Sequence, residues 1–210
     1  MKYEIIAVDF QNDFGTEGGR YFTPKPSVEF LQQKLMPFFK ENHLKINEII
    51  SDYRPPRPGD RGDCCHPGEW GYQSIIPSEF VKSTWIKCMN SPIWVRENIG
   101  RKKQKPGLPY QDPEGFVDWL EKNIGKPNEI KPVLIGLTID CCVLSTLQEL
   151  SWQGYYPMVL REGVDHASGK ITDRDQTLSN PVPNWGEVIN WDKLQKLLKG
   201  VEMGGKGRKG

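Results

Sequence analysis

Three residues able to do chemistry each close an apolar run. Asp9 follows IIAV, Lys87 follows STWI, and Cys142 follows PVLIGL across the polar corner Thr138-Ile139-Asp140-Cys141. A carboxylate can accept a proton, a lysine can hold charge in place, and a cysteine is a nucleophile once its thiol is deprotonated. If the runs are strands of one parallel sheet, their C-terminal ends share an edge, and open sheets bind ligands at that edge. Residues far apart in sequence then meet in one crevice as nucleophile, proton acceptor and cation.

The cysteine has a second advantage. The spacing of Val143, Leu144, Leu147 and Leu150 predicts a helix from Cys142 to about Gln153. Free backbone N–H groups and the helix dipole at its first turn favour a thiolate. Such a position can lower a thiol pKa from about 8.5 to roughly 3.5–7.5. Cys141 lies one residue earlier, turned by about 100° on the helix. Only one of the two can face the crevice.

The elements that must position these groups alternate along the chain. Strands are predicted at 3–9, 45–52, 81–88, 130–137, 155–161 and 187–191, with the second expected nearer a sheet edge. Helices are predicted from Ser27, as N-cap, to about Asn42, with a kink at Pro37, and at 113–123, 142–153 and 192–199. Apolar strands separated by helices predict an α/β fold, a three-layer α/β/α sandwich with a mostly parallel, Rossmann-like central sheet. The Pro- and Gly-rich residues 54–77 and the basic residues 96–110 are predicted loops.

The 210 residues suit a single domain over 1–199, followed by a flexible Gly/Lys-rich tail at 200–210. A formal net charge of +1 gives no electrostatic handle on nucleic acid or membrane, and neither is expected as a partner. No apolar run approaches the roughly 20 residues of a membrane span. The opening MKYEIIAVDF does not read as a signal peptide. Five cysteines, four of them in adjacent pairs, do not form a secreted disulfide pattern, so a reducing, cytoplasmic setting is expected.

Four motifs, AVDFQNDF (7–14), HPGEWG (66–71), KCMNSPI (87–93) and GLTIDCCVLST (136–146), occur in order and at fitting distances. Together they resemble the isochorismatase-like cysteine hydrolases, the family of nicotinamidases and N-carbamoylsarcosine amidase. The resemblance spans most of residues 3–165, with an apparent insertion around 96–112. It implies Cys142 as the nucleophile, with Val143 and Thr146 completing the motif, and leaves Cys141 a variable position. It implies Asp9 as base and Lys87 as stabiliser, with the oxyanion held by the backbone N–H groups of Thr138 and Cys142. It also implies a cis peptide between Leu137 and Thr138, an attack of the thiolate on a carbonyl carbon, and a thioester that water hydrolyses. Family members form oligomers, a point on which these residues are silent.

The chain departs from the family in two places. Metal-dependent nicotinamidases follow the second strand with Asp-Trp-His and further histidines, whereas here Asp52-Tyr53-Arg54 stands there with only His66 beyond. That set is too poor for a divalent cation, so no metal and no cofactor are expected. The aromatic residue after the lysine motif is replaced by Ile93, with Trp94 next to it.

Plainer roles compete for each residue. Cys142 alone would more often be a buried structural thiol. Asp9 alone could shape a turn, Lys87 alone could be a surface lysine, and Lys82 shares its strand. The candidate substrate-binding residues are Phe14, Trp70 and Trp94. The tryptophans lie in loops expected at the crevice mouth, to line a pocket or close a subunit interface. Cys64-Cys65-His66 lacks the spacing of a zinc site, and Arg101, Lys102, Lys103 and Lys105 suit a solvated insertion or a lid better than a phosphate site. Gln11 and Asp13 are expected to shape the first turn, and His166 to be structural. The expectation is a metal-independent cysteine amidohydrolase acting on a small amide or ureido compound. The alternative is an inactive small-molecule-binding or regulatory protein on the same fold.

Overall fold

The computed structural model describes residues 1–57, 62–96 and 107–200. Arg101, Lys102, Lys103, Lys105 and the tail from 201 onward lie outside the described residues. The strands are β1 (Lys2–Val8), β2 (Ile46–Ser51), β3 (Val81–Lys87), β4 (Trp94–Val95), β5 (Tyr110–Gln111), β6 (Ile130–Leu137), β7 (Met158–Asp165) and β8 (Glu187–Ile189). The helices are α1 (Asn12–Gly15), α2 (Pro26–Phe30), α3 (Met36–Glu41), α4 (Pro113–Asn123), α5 (Cys142–Trp152), α6 (Ile171–Ser179) and α7 (Trp191–Leu198). Among them no helix is long and apolar enough to cross a membrane.

Six strands form one sheet in the order β3-β2-β1-β6-β7-β8, and every neighbouring pair is parallel. The chain lays β1, β2 and β3 outward in one direction, then returns to the other side of β1 for β6, β7 and β8. The direction of winding therefore reverses between β1 and β6, where open parallel sheets leave a crevice beyond the strand ends. β4 and β5 pair separately as a short antiparallel ribbon.

Side chains alternate across a strand, yet Ile5 and Ala7 on one face of β1 and Ile6 and Val8 on the other are all buried. Both faces are therefore covered. Phe116, Trp119 and Leu120 of α4 and Val143, Leu147 and Leu150 of α5 pack on the Ile6–Val8 side. Leu31, Leu35 and Phe39, with Leu194 of α7, pack on the Ile5–Ala7 side. This is the three-layer α/β/α sandwich the apolar runs imply.

Several boundaries differ from expectation. β2 is buried along its whole length and lies one strand inside the sheet, with β3 at the edge. The helix expected from Ser27 starts at Pro26, and Ser27 offers no cap; its backbone N–H donates instead to Asp165 Oδ2 at 2.7 Å. Pro37 does not end it, since the chain stays helical through Met36–Glu41. The preceding turn, Leu31–Leu35, widens to a π-helix, which suits a proline that cannot bond to the carbonyl of Gln33. The strand expected at 155–161 runs from Met158 to Asp165. α6 went unpredicted because its sequence is polar around the single buried Leu178.

Candidate active site

The strand ends deliver the reactive groups. Asp9, directly after β1, adopts φ +54°, a left-handed conformation uncommon outside glycine. It is held by its own N–H to Ile49 O and by Gln11 N–H to its carbonyl, both at 2.8 Å. Lys87 ends β3, in register with Ser51 at the end of β2. Cys142 is the first residue of α5. Gln11 clamps the end of β2: its amide donates to Ser51 O and Tyr72 O and accepts from Ser51 N–H at 2.7 Å.

Lys87 and Asp9 are fully buried. The lysine ammonium has three donors and three acceptors: Asp9 Oδ2 at 2.8 Å, Ser51 Oγ at 2.7 Å and Tyr53 Oη at 2.9 Å. The Ser51 hydroxyl in turn donates to Asp9 Oδ1 at 2.8 Å. Tyr53 Oη continues the chain to Cys142 Sγ at 3.1 Å, and both groups share Asn90 Oδ1, at 3.2 Å from the hydroxyl and 3.6 Å from the sulfur. Asn90 is positioned by the turn after β3, which Cys88 N–H to Trp94 O and Trp85 Nε1 to Pro92 O pin at 2.8 Å each. Asp9 makes no direct hydrogen bond to the sulfur; Lys87 and Tyr53 stand between them.

The electrostatics follow from burial. Burial works against the Lys87 ammonium, but Asp9 and then Cys142 outweigh it and the net direction is upward. The neighbouring Cys141 thiol, and then burial, push Cys142 well above the ordinary thiol range, with Lys87 pulling the other way. Burial, followed by Cys142 and Asp9, also raises Tyr53 far above a free phenol. The direction is opposite to the depressed thiol expected from the helix start: the Cys141 thiol and then burial outweigh Lys87.

The corner after β6 has two unengaged donors. The peptide between Leu137 and Thr138 is cis. Cys141 and Val143 N–H both donate to Thr138 O at 3.1 Å, while the N–H groups of Thr138 and Cys142 have no partner among the described residues. Gly136 permits the approach of β6 to β1. At φ +147°, a Cβ there would fall 2.2 Å from Val8 O. His166, expected to be structural, sits 3.4 Å from Asp140 Oδ2, and Ala167 N–H donates to Asp140 Oδ1 at 3.0 Å. Together they tie the loop after β7 to this corner.

A cavity of about 390 Å³ opens onto Cys142, with Phe14, Tyr21, Lys25, Tyr53 and Thr138 in its wall. Of the three expected substrate-binding residues, Phe14 lines it. Trp70 is 46% exposed and Trp94 sits in β4; neither reaches the cavity. Cys141 does line it, so both adjacent cysteines border the space.

The residues after β2 do not fit a divalent metal. Arg54 holds both oxygens of Asp52, through Nε at 2.7 Å and through Nη2, and Arg96 Nε lies 3.8 Å from Oδ1. Two guanidiniums already surround the carboxylate a cation would need. Asp13, Cys64 and Cys65 bring one ligand atom each within 4.8 Å of one another. Asp13, however, spends its oxygens on Arg20 N–H at 3.1 Å and Cys65 N–H at 2.6 Å, and His66 turns away to Asp63 and Glu69. Asp13 shapes the turn, as expected. All five cysteines are free thiols.

Ser51, Tyr53, Asn90 and Lys25 belong to the site and were not singled out from sequence. Ser51 ends β2 as Lys87 ends β3, and Tyr53 lies two residues beyond, so the strand-end rule extended to every strand would have found them. Asn90 lies inside the KCMNSPI motif. Lys25, in a Thr-Pro-Lys-Pro loop, carries no signal.

No protein-family model and no curated protein sequence matches the chain. Solved structures do. An isochorismatase-like hydrolase from Alkaliphilus metalliredigens superposes with a TM-score of 0.66 at 18% identity, over 94% of this chain and 96% of that one. Nicotinamidase from Bacillus subtilis gives 0.65 at 18%, over 90% and 100%. N-carbamoylsarcosine amidase from Thermoplasma acidophilum gives 0.61 at 20%, over 90% and 96%. The chain has the fold of the isochorismatase-like hydrolases.

Proposed function

We propose that this chain, built on the isochorismatase-like hydrolase fold, is a metal-independent cysteine amidohydrolase that cleaves a C–N bond of a small amide or ureido compound. Cys142 is the nucleophile, Asp9 the final proton acceptor and Lys87 the stabilising cation. The observation that carries this reading is the unbroken hydrogen-bonded run from Asp9 through Lys87 and Tyr53 to Cys142.

Activation moves one proton along that run. The thiol proton passes by way of Tyr53 and Lys87 to Asp9, and the Lys87–Tyr53 bond, in which the ammonium donates at rest, reverses once Lys87 has given its proton to Asp9. Lysine is cationic and tyrosine neutral before and after, so the net change is a thiolate at Cys142 and a carboxylic acid at Asp9. The charge separates next to an ammonium, in a water-poor site where such an interaction is strong. The thiolate attacks the carbonyl carbon, and the N–H groups of Thr138 and Cys142 are free to hold the resulting oxyanion. One such donor is typically worth about 10²–10³ in rate. Collapse breaks the C–N bond, and the departing nitrogen takes the proton from Asp9. Asp9 then deprotonates water, which attacks the thioester; the acid is released and the sulfur recovers its proton.

The test combines turnover and trapping. Wild-type protein is expected to release ammonia or amine from a panel of small amides and ureas, and to show an acyl mass adduct on Cys142 after rapid quenching. Cys142→Ala should do neither while keeping its fold. Absence of release and adduct across the panel would move the inactive binding-protein alternative ahead.

A further inference from the structure

The cavity holds a cation that the hydrolytic machinery does not use. Lys25 lines the same space as Cys142 and is only 7% exposed. Its ammonium has three donors, yet the one hydrogen bond it makes among the described residues is to the Thr23 hydroxyl, which in turn leans on Ala167 O. No carboxylate among the described residues comes within ion-pair distance of it.

The nearest acids are committed elsewhere. Asp165 Oδ2 accepts Ser27 N–H at 2.7 Å and Oδ1 lies 3.9 Å from Arg174. Asp140 is engaged by Ala167 N–H and by His166. Burial draws the Lys25 ammonium below its ordinary value, and Asp165 and then Asp140 oppose this only partly. A buried lysine is costly unless paired. Here the lysine lines the cavity beside the apolar surfaces of Phe14 and Tyr21.

We infer that Lys25 is the specificity residue of this cavity and that the substrate is a small amide or ureido compound bearing a carboxylate, which Lys25 Nζ takes up while the C–N bond lies at Cys142. The substrate assignment rests on the hydrolase reading; the anion site itself does not. The volume, about a dozen water-sized atoms at roughly 30 Å³ each, suits a compound of a few carbons with a polar group at each end.

The experiment measures binding apart from turnover. On a Cys142→Ala background, calorimetry compares malonamate, succinamate and glutaramate with their neutral diamides. At least one acid is expected to bind on the order of tenfold tighter than its diamide, the effect of one charge-assisted contact. Lys25→Met should erase that preference and Lys25→Arg should keep much of it. Lys25→Gln, which retains a donor without the charge, is the second neutral variant should Lys25→Met unfold. No acid preference in any pair, or a preference that survives loss of the charge, overturns the inference. Ammonia release by the wild-type protein is read separately. Release from diamides without acid preference sinks Lys25 alone, and acid preference without release from any amide sinks the hydrolase reading while the anion site stands.

Discussion

Tyr53 Oη lies 3.1 Å from Cys142 Sγ, closer than any other polar side-chain atom bonded to that sulfur, and 2.9 Å from Lys87 Nζ on its other side. The phenol therefore links the sulfur to the Asp9–Lys87 pair. Removing that hydroxyl should break proton transfer while leaving the ring to pack edge-on against Phe14, at 6.2 Å between centroids. Tyr53→Phe is expected to lower kcat by about 10²-fold or more, the usual range for a positioned proton-transfer group, with thermal unfolding little changed. Undiminished kcat would show that Asp9 reaches the thiol without Tyr53.

The adjacent cysteines should separate by function and by titration. Cys141→Ala is expected to keep most activity and Cys142→Ala none. Because Cys142 is pushed upward and Cys141 downward, iodoacetamide should label Cys141 first as pH rises, with Cys142 following only above the free-thiol value near 8.5. Peptide mass mapping reads both sites. Rapid labelling of Cys142 near pH 7 would mean the helix end and Lys87 outweigh burial after all.

Asp9 and Lys87 form an ion pair from which solvent is excluded on both sides. Loss of either partner leaves a buried charge alone, which costs about 3–5 kcal/mol. Asp9→Asn and Lys87→Met should each lower urea-derived stability by that amount. The double variant Asp9→Asn/Lys87→Met should lose clearly less than the sum of the two. Strict additivity would mean the two side chains do not sense each other.

Stability should fall in alkali. Burial raises the Cys88 thiol to about 11 and the Tyr155 phenol to about 12. A raised folded-state value means the folded protein keeps protons the unfolded chain has lost, so stability is full below the unfolded values and declines as pH rises through the folded ones. Denaturant midpoints are expected to hold to about pH 8.5 and drop between roughly pH 9 and 12. Cys88→Ala should shallow the early part of that decline. A flat profile would contradict the assignment.

Chelation should be without effect. With Arg54 and Arg96 around Asp52, dialysis against EDTA is expected to leave turnover unchanged. A stoichiometric zinc or iron needed for turnover would show that residues 52–66 rearrange to bind it.

Much of this protein was legible in its sequence. Apolar runs fix which segments are strands, because only paired backbone in the interior satisfies its own hydrogen bonds. Once the strands are parallel, their ends share an edge, so Asp9, Lys87 and the Thr138–Cys142 corner had to be neighbours. The tertiary structure alone decided what lies between them. Tyr53 stands between lysine and sulfur because of the path the chain takes after Ser51, and no periodicity encodes that path. Trp70 and Trp94 lie off the cavity for the same reason: they sit in short elements outside the main sheet, whose placement is set by contacts distant in sequence. Lys25 entered the cavity wall by that route too. The direction of the Cys142 pKa also needed the fold, since a helix start can be read from residue spacing, but how far a sulfur is desolvated depends on everything packed around it.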